Sequence, residues 1–227
     1  MLFRSLLNDP ILSTFACEKY ALVDDPVLYQ TTLRYEFVRR YGINYLFRNQ
    51  LFLPLGLTFN RAMTEEVFRQ LPAKEKSEAL LRLVVVPNQI EAEKHGIPLL
   101  SADEARQEST AGSFSDVVSG RRDSALNLTS FRQNRIAGSV RLDQKSILVL
   151  QTPFDRGWTA LQDGQAAATL KADVGLLGVA LDAGEHQVEL RYRTPFLRTA
   201  LAVSVVSLLL LGLGVWRWPR LRLPAGD

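Results

Sequence analysis

Cysteine occurs once among the 227 residues, at Cys17, and histidine twice, at His95 and His186. A lone thiol closes no disulfide within the chain and builds no thiolate cage, so neither a disulfide framework nor a zinc-cysteine site is available. We read Cys17 as a small buried apolar side chain. The two histidines stand 91 residues apart, which is no metal-ligand spacing. Excess charge of one sign is also lacking: 27 Lys and Arg against 24 Asp and Glu leave +3, and the arginines are scattered, which excludes a nucleic-acid partner. The phosphate cradles G-x-x-x-x-G-K-[ST] and G-x-G-x-x-G are absent, as is the nucleophile elbow G-x-S-x-G. Residues 1–25 carry no signal-peptide pattern. An outer-face domain of this kind would therefore be the C-terminal part of a longer multi-pass protein; the other arrangement is a cytoplasmic domain with a tail anchor.

Against these absences stands one long apolar run. Residues 199–216 (TALAVSVVSLLLLGLGVW) carry no charge over 18 residues. At roughly 1.5 Å per residue a helix of this length reaches about 27 Å, near the thickness of a bilayer's hydrocarbon core. This predicts a transmembrane helix over 196–218. A core helix apolar on every side would need cover on every side. Trp216 and Trp218 fall where interfacial aromatics belong, followed by Arg217, Arg220 and Arg222. Arg191, Arg193 and Arg198 precede the run, so charge bias does not orient it.

Elsewhere the chain changes texture several times. Residues 37–47 read as a polar lead into an aromatic-rich strand. The segment 51–59 (LFLPLGLTF) carries Pro54 and Gly56, which predicts an edge or bent extended segment. Thr64 before Glu65 and Glu66 is an N-cap with acids in the first turn, and a second helix follows Pro72. The run 83–86 reads as a strand closed by Pro87. Residues 90–122 are polar and punctuated by glycine, which predicts a linker or elaborated loop with His95 exposed in it. From 124 onward, short alternating strands are predicted at 125–132, 135–142, 146–152, 159–162, 166–170, 177–181 and 187–193. Asp163-Gly164 is a strong hairpin signal. Many short strands without helices between them predict an antiparallel β-sandwich.

A more specific pattern lies in the order of these residues. Asn134-Arg135-Ile136-Ala137-Gly138-Ser139-Val140 leads through Ile147-Leu148-Val149-Leu150 to Pro153-Phe154-Asp155-Arg156-Gly157-Trp158 and Asp163-Gly164. Leu177-Gly178-Val179, Ala183-Gly184-Glu185-His186-Gln187-Val188 and Tyr192 follow. This order resembles the C-terminal extracytoplasmic domain of the YfhO family of bacterial multi-pass membrane proteins. Upstream, Tyr41-Gly42-Ile43-Asn44-Tyr45-Leu46-Phe47-Arg48-Asn49 and Leu53-Pro54-Leu55-Gly56 look like the family's preceding segment. The resemblance spans about residues 15–90 and 125–216. It implies kinship with multi-pass glycosyltransferases that use a polyprenyl-linked sugar. Their catalytic acids lie between early membrane helices for which this chain has no counterpart, so no catalytic residue carries over.

The resulting expectation is an α+β chain with a mixed region over 1–90, a polar linker or loop over 91–123 and a β-sandwich over 124–195. A transmembrane helix over 196–218 and a short basic tail over 219–227 complete it. The expected role is an outer-face domain accessory to glycosyl transfer; the alternative is a stand-alone membrane-tethered carbohydrate-binding or interaction module. Expected partners are the lipid bilayer, the membrane part of a larger envelope protein, and a glycan or lipid-linked sugar. No catalytic residue, metal or cofactor is expected. Candidate glycan contacts are Trp158, whose indole could stack on a sugar or pack between sheets, Asp155 in a turn, and His186 at a strand start. Arg121-Arg122-Asp123 reads as a solvated loop cluster, and Asn127-Leu128-Thr129 is a glycosylation sequon inside a strand.

Overall fold

Short polar side chains start most of the helices. Asp9 caps α1 (Pro10–Phe15), its carboxylate accepting from the amides of Ile11 and Leu12. The computed structural model describes residues 9–30 and 34–217. Beyond α1, β1 (Tyr20–Val23), the single-turn α2 (Val27–Gln30), β2 (Tyr35–Tyr41) and β3 (Asn44–Asn49) make a small antiparallel sheet of order β1-β3-β2. The segment 37–47 is thus a hairpin and not one strand with a polar lead. Gly42, at φ 59°, turns the chain between Tyr41 and Asn44.

The bent segment with Pro54 and Gly56 delivers β4 (Leu57–Phe59), an edge strand as its composition predicts. A parallel pair follows, β5 (Ala62–Thr64) and β6 (Val84–Val86), with α3 (Glu65–Gln70) and α4 (Ala73–Ala79) in the crossover. Thr64 caps α3, accepting from the Val67 amide.

The polar stretch read as a linker is helical. It forms α5 (Gln89–His95), α6 (Ala102–Thr110) and α7 (Phe114–Asp123). Asn88, Ser101 and Ser113 cap them, with acids Glu91, Glu104 and Asp116 three residues on; Ser101 and Glu104 close a full capping box. Each helix buries only one or two small or medium side chains: Ala92, then Ala105 and Ser109, then Val118. That narrow apolar stripe is why hydrophobic periodicity misses them, although the caps are in plain view.

The remaining strands are β7 (Asn127–Arg132), β8 (Arg135–Leu142), β9 (Ser146–Pro153), β10 (Trp158–Gln162), β11 (Gln165–Ala167), β12 (Thr169–Ala172), β13 (Leu176–Leu181) and β14 (Gly184–Tyr192). One antiparallel sheet runs β11-β10-β14-β8-β7, the other β12-β13-β9-β4. The single strand predicted at 166–170 is two, one in each sheet, because the chain crosses between sheets at Ala168. The sheets face each other across Ile136, Trp158, Val188 and Leu190 on one side and Leu148, Leu150, Leu177 and Val179 on the other. On β9, Ile147, Leu148, Val149 and Leu150 are all fully buried, since its sheet is covered on both faces. Leu148 and Leu150 enter the sandwich, while Ile147 and Val149 join the cluster of Leu81, of Val84 and Val86 on β6, and of Val118 on α7. At about 1.5–3 kcal/mol per buried aliphatic side chain, this strand anchors both cores. The class is α+β, with the β-sandwich sharing its inner sheet with the mixed region through β4.

The chain divides into two units, one up to Tyr192 and one from Arg193. The second holds α8 (Leu197–Arg217), 21 residues long. Among the described residues no helix is long and apolar enough to cross a membrane. The uncharged run whose side chains are described stops at Val215, one residue short of its extent in the sequence. Trp218 and the basic tail 219–227, with Arg220 and Arg222, lie outside the described residues.

Candidate functional site

Two groups of polar side chains sit at opposite ends of β10, and their geometry decides which can contact a ligand. At the first end, Asp163 and Gly164 take φ 52° and 82°, the conformation of a primed two-residue turn between β10 and β11. The register Gln162↔Val188 carries Asp163 beside Gln187 on β14. The Asp163 amide donates to the Gln187 carbonyl at 2.9 Å, and the Gln187 amide donates back to Asp163 Oδ1 at 2.8 Å. The second carboxylate oxygen lies 2.6 Å from His186 Nδ1. His186 Nε2 is 3.3 Å from the Ala183 carbonyl, and the Gln162 amide nitrogen stands 3.0 Å from Nδ1.

Acceptors on both ring nitrogens favour the doubly protonated imidazolium. The Asp163 bond therefore raises the His186 pKa above its ordinary value, against an opposing contribution from burial. The Gln187 amide and then the His186 ring hold the Asp163 carboxyl below the usual carboxylate range. Gly184 belongs to the same unit. At φ 132°, a Cβ there would stand 3.0 Å from His186 Nε2, so only glycine lets the ring fold over the turn. The separate Asp-Gly and Gly-x-His signals of the sequence are one linked pair of turns. The arithmetic of the hairpin register, 162 opposite 188, is the signal that could have joined them.

Beside this unit lies a pocket of about 230 Å³ lined by Gln162, Lys94, His95, Lys145, Asp182 and Ala166 among others. Lys145 Nζ is 3.1 Å from Asp182, and Lys94 Nζ is 3.6 Å from Glu91. His95, expected in solvent, has a side chain only 6% exposed, with Nε2 3.5 Å from Glu91 Oε2. Its place at the end of α5 explains the difference. The pocket offers an amide, a carboxylate and two cations, a set suited to a small polar or hydroxylated ligand.

At the other end, Asp155 closes a turn. Its Oδ1 accepts from the Gly157 amide at 2.7 Å, and its carbonyl accepts from the Trp158 amide at 3.1 Å. Burial, then the charge and hydrogen bond of Asp155, raise the Tyr192 hydroxyl pKa. Trp158 is 9% exposed and packs against Tyr192, ring centroids 5.1 Å apart and planes at 54°. Sandwich packing, one of the two readings weighed for Trp158, describes it, and little indole surface remains for a sugar. Four residue steps along β10, about 13 Å at the strand rise, separate Trp158 from Gln162. Trp158 and Asp155 therefore do not converge with His186.

Two further perturbed groups hold the fold together. Arg121, read as a solvated loop residue, lies on α7. Its guanidinium donates to the carbonyls of Leu81 at 2.7 Å, Thr58 at 2.5 Å and Arg82 at 2.6 Å, and stands 4.3 Å from the Phe59 ring centroid. Burial lowers its pKa to about 10. Asp173, in the β12–β13 turn, exchanges backbone and side-chain hydrogen bonds with Val85 while its Oδ2 is buried without a hydrogen-bond partner. Burial raises this carboxyl to about 7.

The profile of the family described as "Bacterial membrane protein YfhO" matches residues 108–204. The match starts inside the helical stretch read as a linker and leaves out the upstream Leu53-Pro54-Leu55-Gly56 element. Over 81 residues the chain is 30% identical to "Uncharacterized protein YfhO" of Bacillus subtilis (strain 168). That stretch is 36% of this chain and 9% of the relative, so the chain spans a small part of the longer protein's length. No solved structure matches the chain.

Proposed function

Because the chain belongs, through residues 108–204, to the YfhO family of bacterial membrane proteins, we propose that it is a membrane-anchored envelope domain. In this reading the unit up to Tyr192 stands on the outer face. It serves as an accessory, without catalysis of its own, to glycosyl transfer from a polyprenyl-linked sugar.

The observation that carries the proposal is α8. Consecutive leucines from Leu208 to Leu211 are each more than half exposed, and successive helical positions turn by about 100°, so no side of the helix is polar. In the sequence the uncharged run 199–216 would reach about 27 Å at roughly 1.5 Å per residue, near the hydrocarbon thickness, which supports the anchor reading although no helix among the described residues is long and apolar enough to cross a membrane. The hydroxyls of Ser204 and Ser207 donate back to the carbonyls of Ala200 and Val203 at 2.9 and 2.8 Å. Their polar atoms are thereby satisfied within the helix, as lipid requires. The accessory role is supported by the use of the Asp163–His186 pair as a turn clamp. Both carboxylate oxygens and both ring nitrogens of this pair are engaged within the fold.

The pocket next to Gln162 favours a second reading, a tethered module whose His186 end contacts a glycan. The anchor is tested by flotation with liposomes after alkaline extraction, and orientation by maleimide labelling of Gln165→Cys in spheroplasts. Recovery in the alkaline supernatant would remove the anchor, and labelling only after lysis would place the unit on the cytoplasmic side. Glycan binding that Gln162→Ala abolishes in a folded protein would favour the module over the accessory role.

A further inference from the structure

Val85 sits at the middle of β6. Its neighbour Val84 bonds toward β5, donating to the Arg61 carbonyl at 3.2 Å, and successive residues of a strand point their peptide groups to opposite sides. The Val85 amide and carbonyl therefore face the other edge. The β5-β6 sheet has two strands among the described residues, so no third strand meets that edge. Asp173, in the β12–β13 turn, takes its place. Its amide donates to the Val85 carbonyl at 2.8 Å, and its Oδ1 accepts from the Val85 amide at 2.8 Å.

Two features make this seat conditional. The first is Asp173 Oδ2, which is buried without a hydrogen-bond partner. As a neutral acid it forfeits one hydrogen bond; as a carboxylate it leaves charge unsolvated, which costs far more. Burial raises the carboxyl pKa to about 7, opposed by the Val85 amide and the charge of Arg121. Of the elements around it, β6 and β9 carry no charged residue, and Lys171 on β12 is paired with Glu65 of α3 at 3.3 Å. Arg121 of α7 is the facing cation. Its guanidinium is spent on the carbonyls of Leu81, Thr58 and Arg82, and it feels the charges of Glu108, Arg82 and Arg61 as well.

The second feature is the backbone of the turn. Asp173 and Val174 take φ 45° and 68° in succession. Aspartate tolerates the left-handed region, but a β-branched valine is strained there. Val174 is 48% exposed, so packing does not hold it in that conformation. The turn is held by the two bonds to Val85 and by Gly175, whose amide donates to the Ala172 carbonyl at 3.0 Å and whose carbonyl accepts from the Phe154 amide at 2.9 Å.

We propose that the β12–β13 turn is a proton-operated latch on the outer edge of β6, closed while Asp173 is protonated and released when it ionises. Opening carries the carboxylate into water and relaxes Val174. It also uncovers the Val85 amide and carbonyl, a strand edge open to pairing. The closed state has the higher carboxyl pKa, so closing is strongest below the ordinary value near about 4. It weakens by about tenfold per pH unit as pH rises to about 7 and levels off above that. The latch lies wholly within the unit up to Tyr192 and does not draw on the anchor reading of α8.

The test is residue-resolved amide hydrogen exchange of the detergent-solubilised full chain, corrected for the intrinsic rate at each pH. Protection of the Val85, Asp173, Gly175 and Phe154 amides should lie below that of the β8–β14 ladder and fall about tenfold per pH unit between about pH 4 and 7. In Asp173→Asn, which keeps an acceptor for Val85 without the charge, the same four amides should show one level of protection across this range. Val174→Gly should raise their protection by roughly fivefold or more at every pH and leave the slope unchanged. If the four amides are as protected as the ladder at every pH, the turn opens only when the whole unit unfolds, and there is no latch. A slope that survives Asp173→Asn moves the trigger to another group and overturns the proposal equally, as does a Val174→Gly variant no better protected than wild type.

Discussion

Replacing Arg121 should destabilise the unit up to Tyr192 far more than a change at a loop arginine. Its guanidinium ties α7 to the end of α4 and to β4 through three carbonyls, those of Leu81, Arg82 and Thr58. A hydrogen bond to a charged group contributes about 1.5–3 kcal/mol net, which for three gives an upper range of about 5–9 kcal/mol. Arg121 borders a pocket of about 140 Å³ from which water can reach vacated carbonyls, so the loss should be smaller. We expect about 3–5 kcal/mol for Arg121→Ala, the range for breaking a buried charged network. For a domain of this size that lowers Tm by on the order of 10 °C. Arg121→Met keeps the apolar stem over Phe59 without the donors, and should recover only the packing part. Arg121→Lys should lie between, since a single ammonium cannot fork to three carbonyls. The assay is thermal unfolding of the detergent-solubilised full chain, followed by tryptophan fluorescence. If Arg121→Ala and Arg121→Met both unfold within about 2 °C of wild type, the three-carbonyl clamp does not contribute to stability.

Trp158→Ala should cost about 3–5 kcal/mol, because the ring is buried between the sheets, and thermal unfolding followed by far-UV circular dichroism reads it, since the variant has lost the tryptophan of that unit; a folded variant of unchanged Tm would return Trp158 to the ligand candidates. Asp173 has a folded pKa raised to about 7 by burial, above its unfolded value, so the folded state holds a proton that the unfolded state releases. Stability should fall as pH rises from about 4 to about 7, by up to about 1.4 kcal/mol per pH unit, and level off above that. Urea midpoints across this range should flatten in Asp173→Asn; an equal slope in both proteins would assign the pH dependence elsewhere. His186, raised by Asp163, contributes stability below its unfolded pKa that is lost as pH climbs through its folded pKa. Imidazole NMR titration should show its pKa falling in Asp163→Asn, and no change would mean the two side chains are not paired in solution.

The apolar run at 199–216, the edge character of the segment around Pro54 and Gly56, and the order of strands from 125 onward were legible because each rests on local composition or period-two patterning. The cap residues Asn88, Ser101 and Ser113 were equally local, yet the polar faces of α5 to α7 concealed them as a linker. Arg121 read as solvated for the same reason: nothing in its neighbours announces that Leu81 and Thr58, far away in sequence, supply the carbonyls it reaches.

The sequence by itself determined the texture of this protein: a mixed first region, short β-strands from 125 onward and an uncharged apolar run at the end, in a motif order similar to that of the YfhO family. Only the tertiary structure decided that Asp163 and His186 are partners and that Trp158 is core. The same is true of the crossing at Ala168, which divides one predicted strand between two sheets. Propensity, capping and alternation act over a few residues, whereas strand register and packing join residues that the chain separates by tens of positions. Those pairings settled which side chains are occupied within the fold.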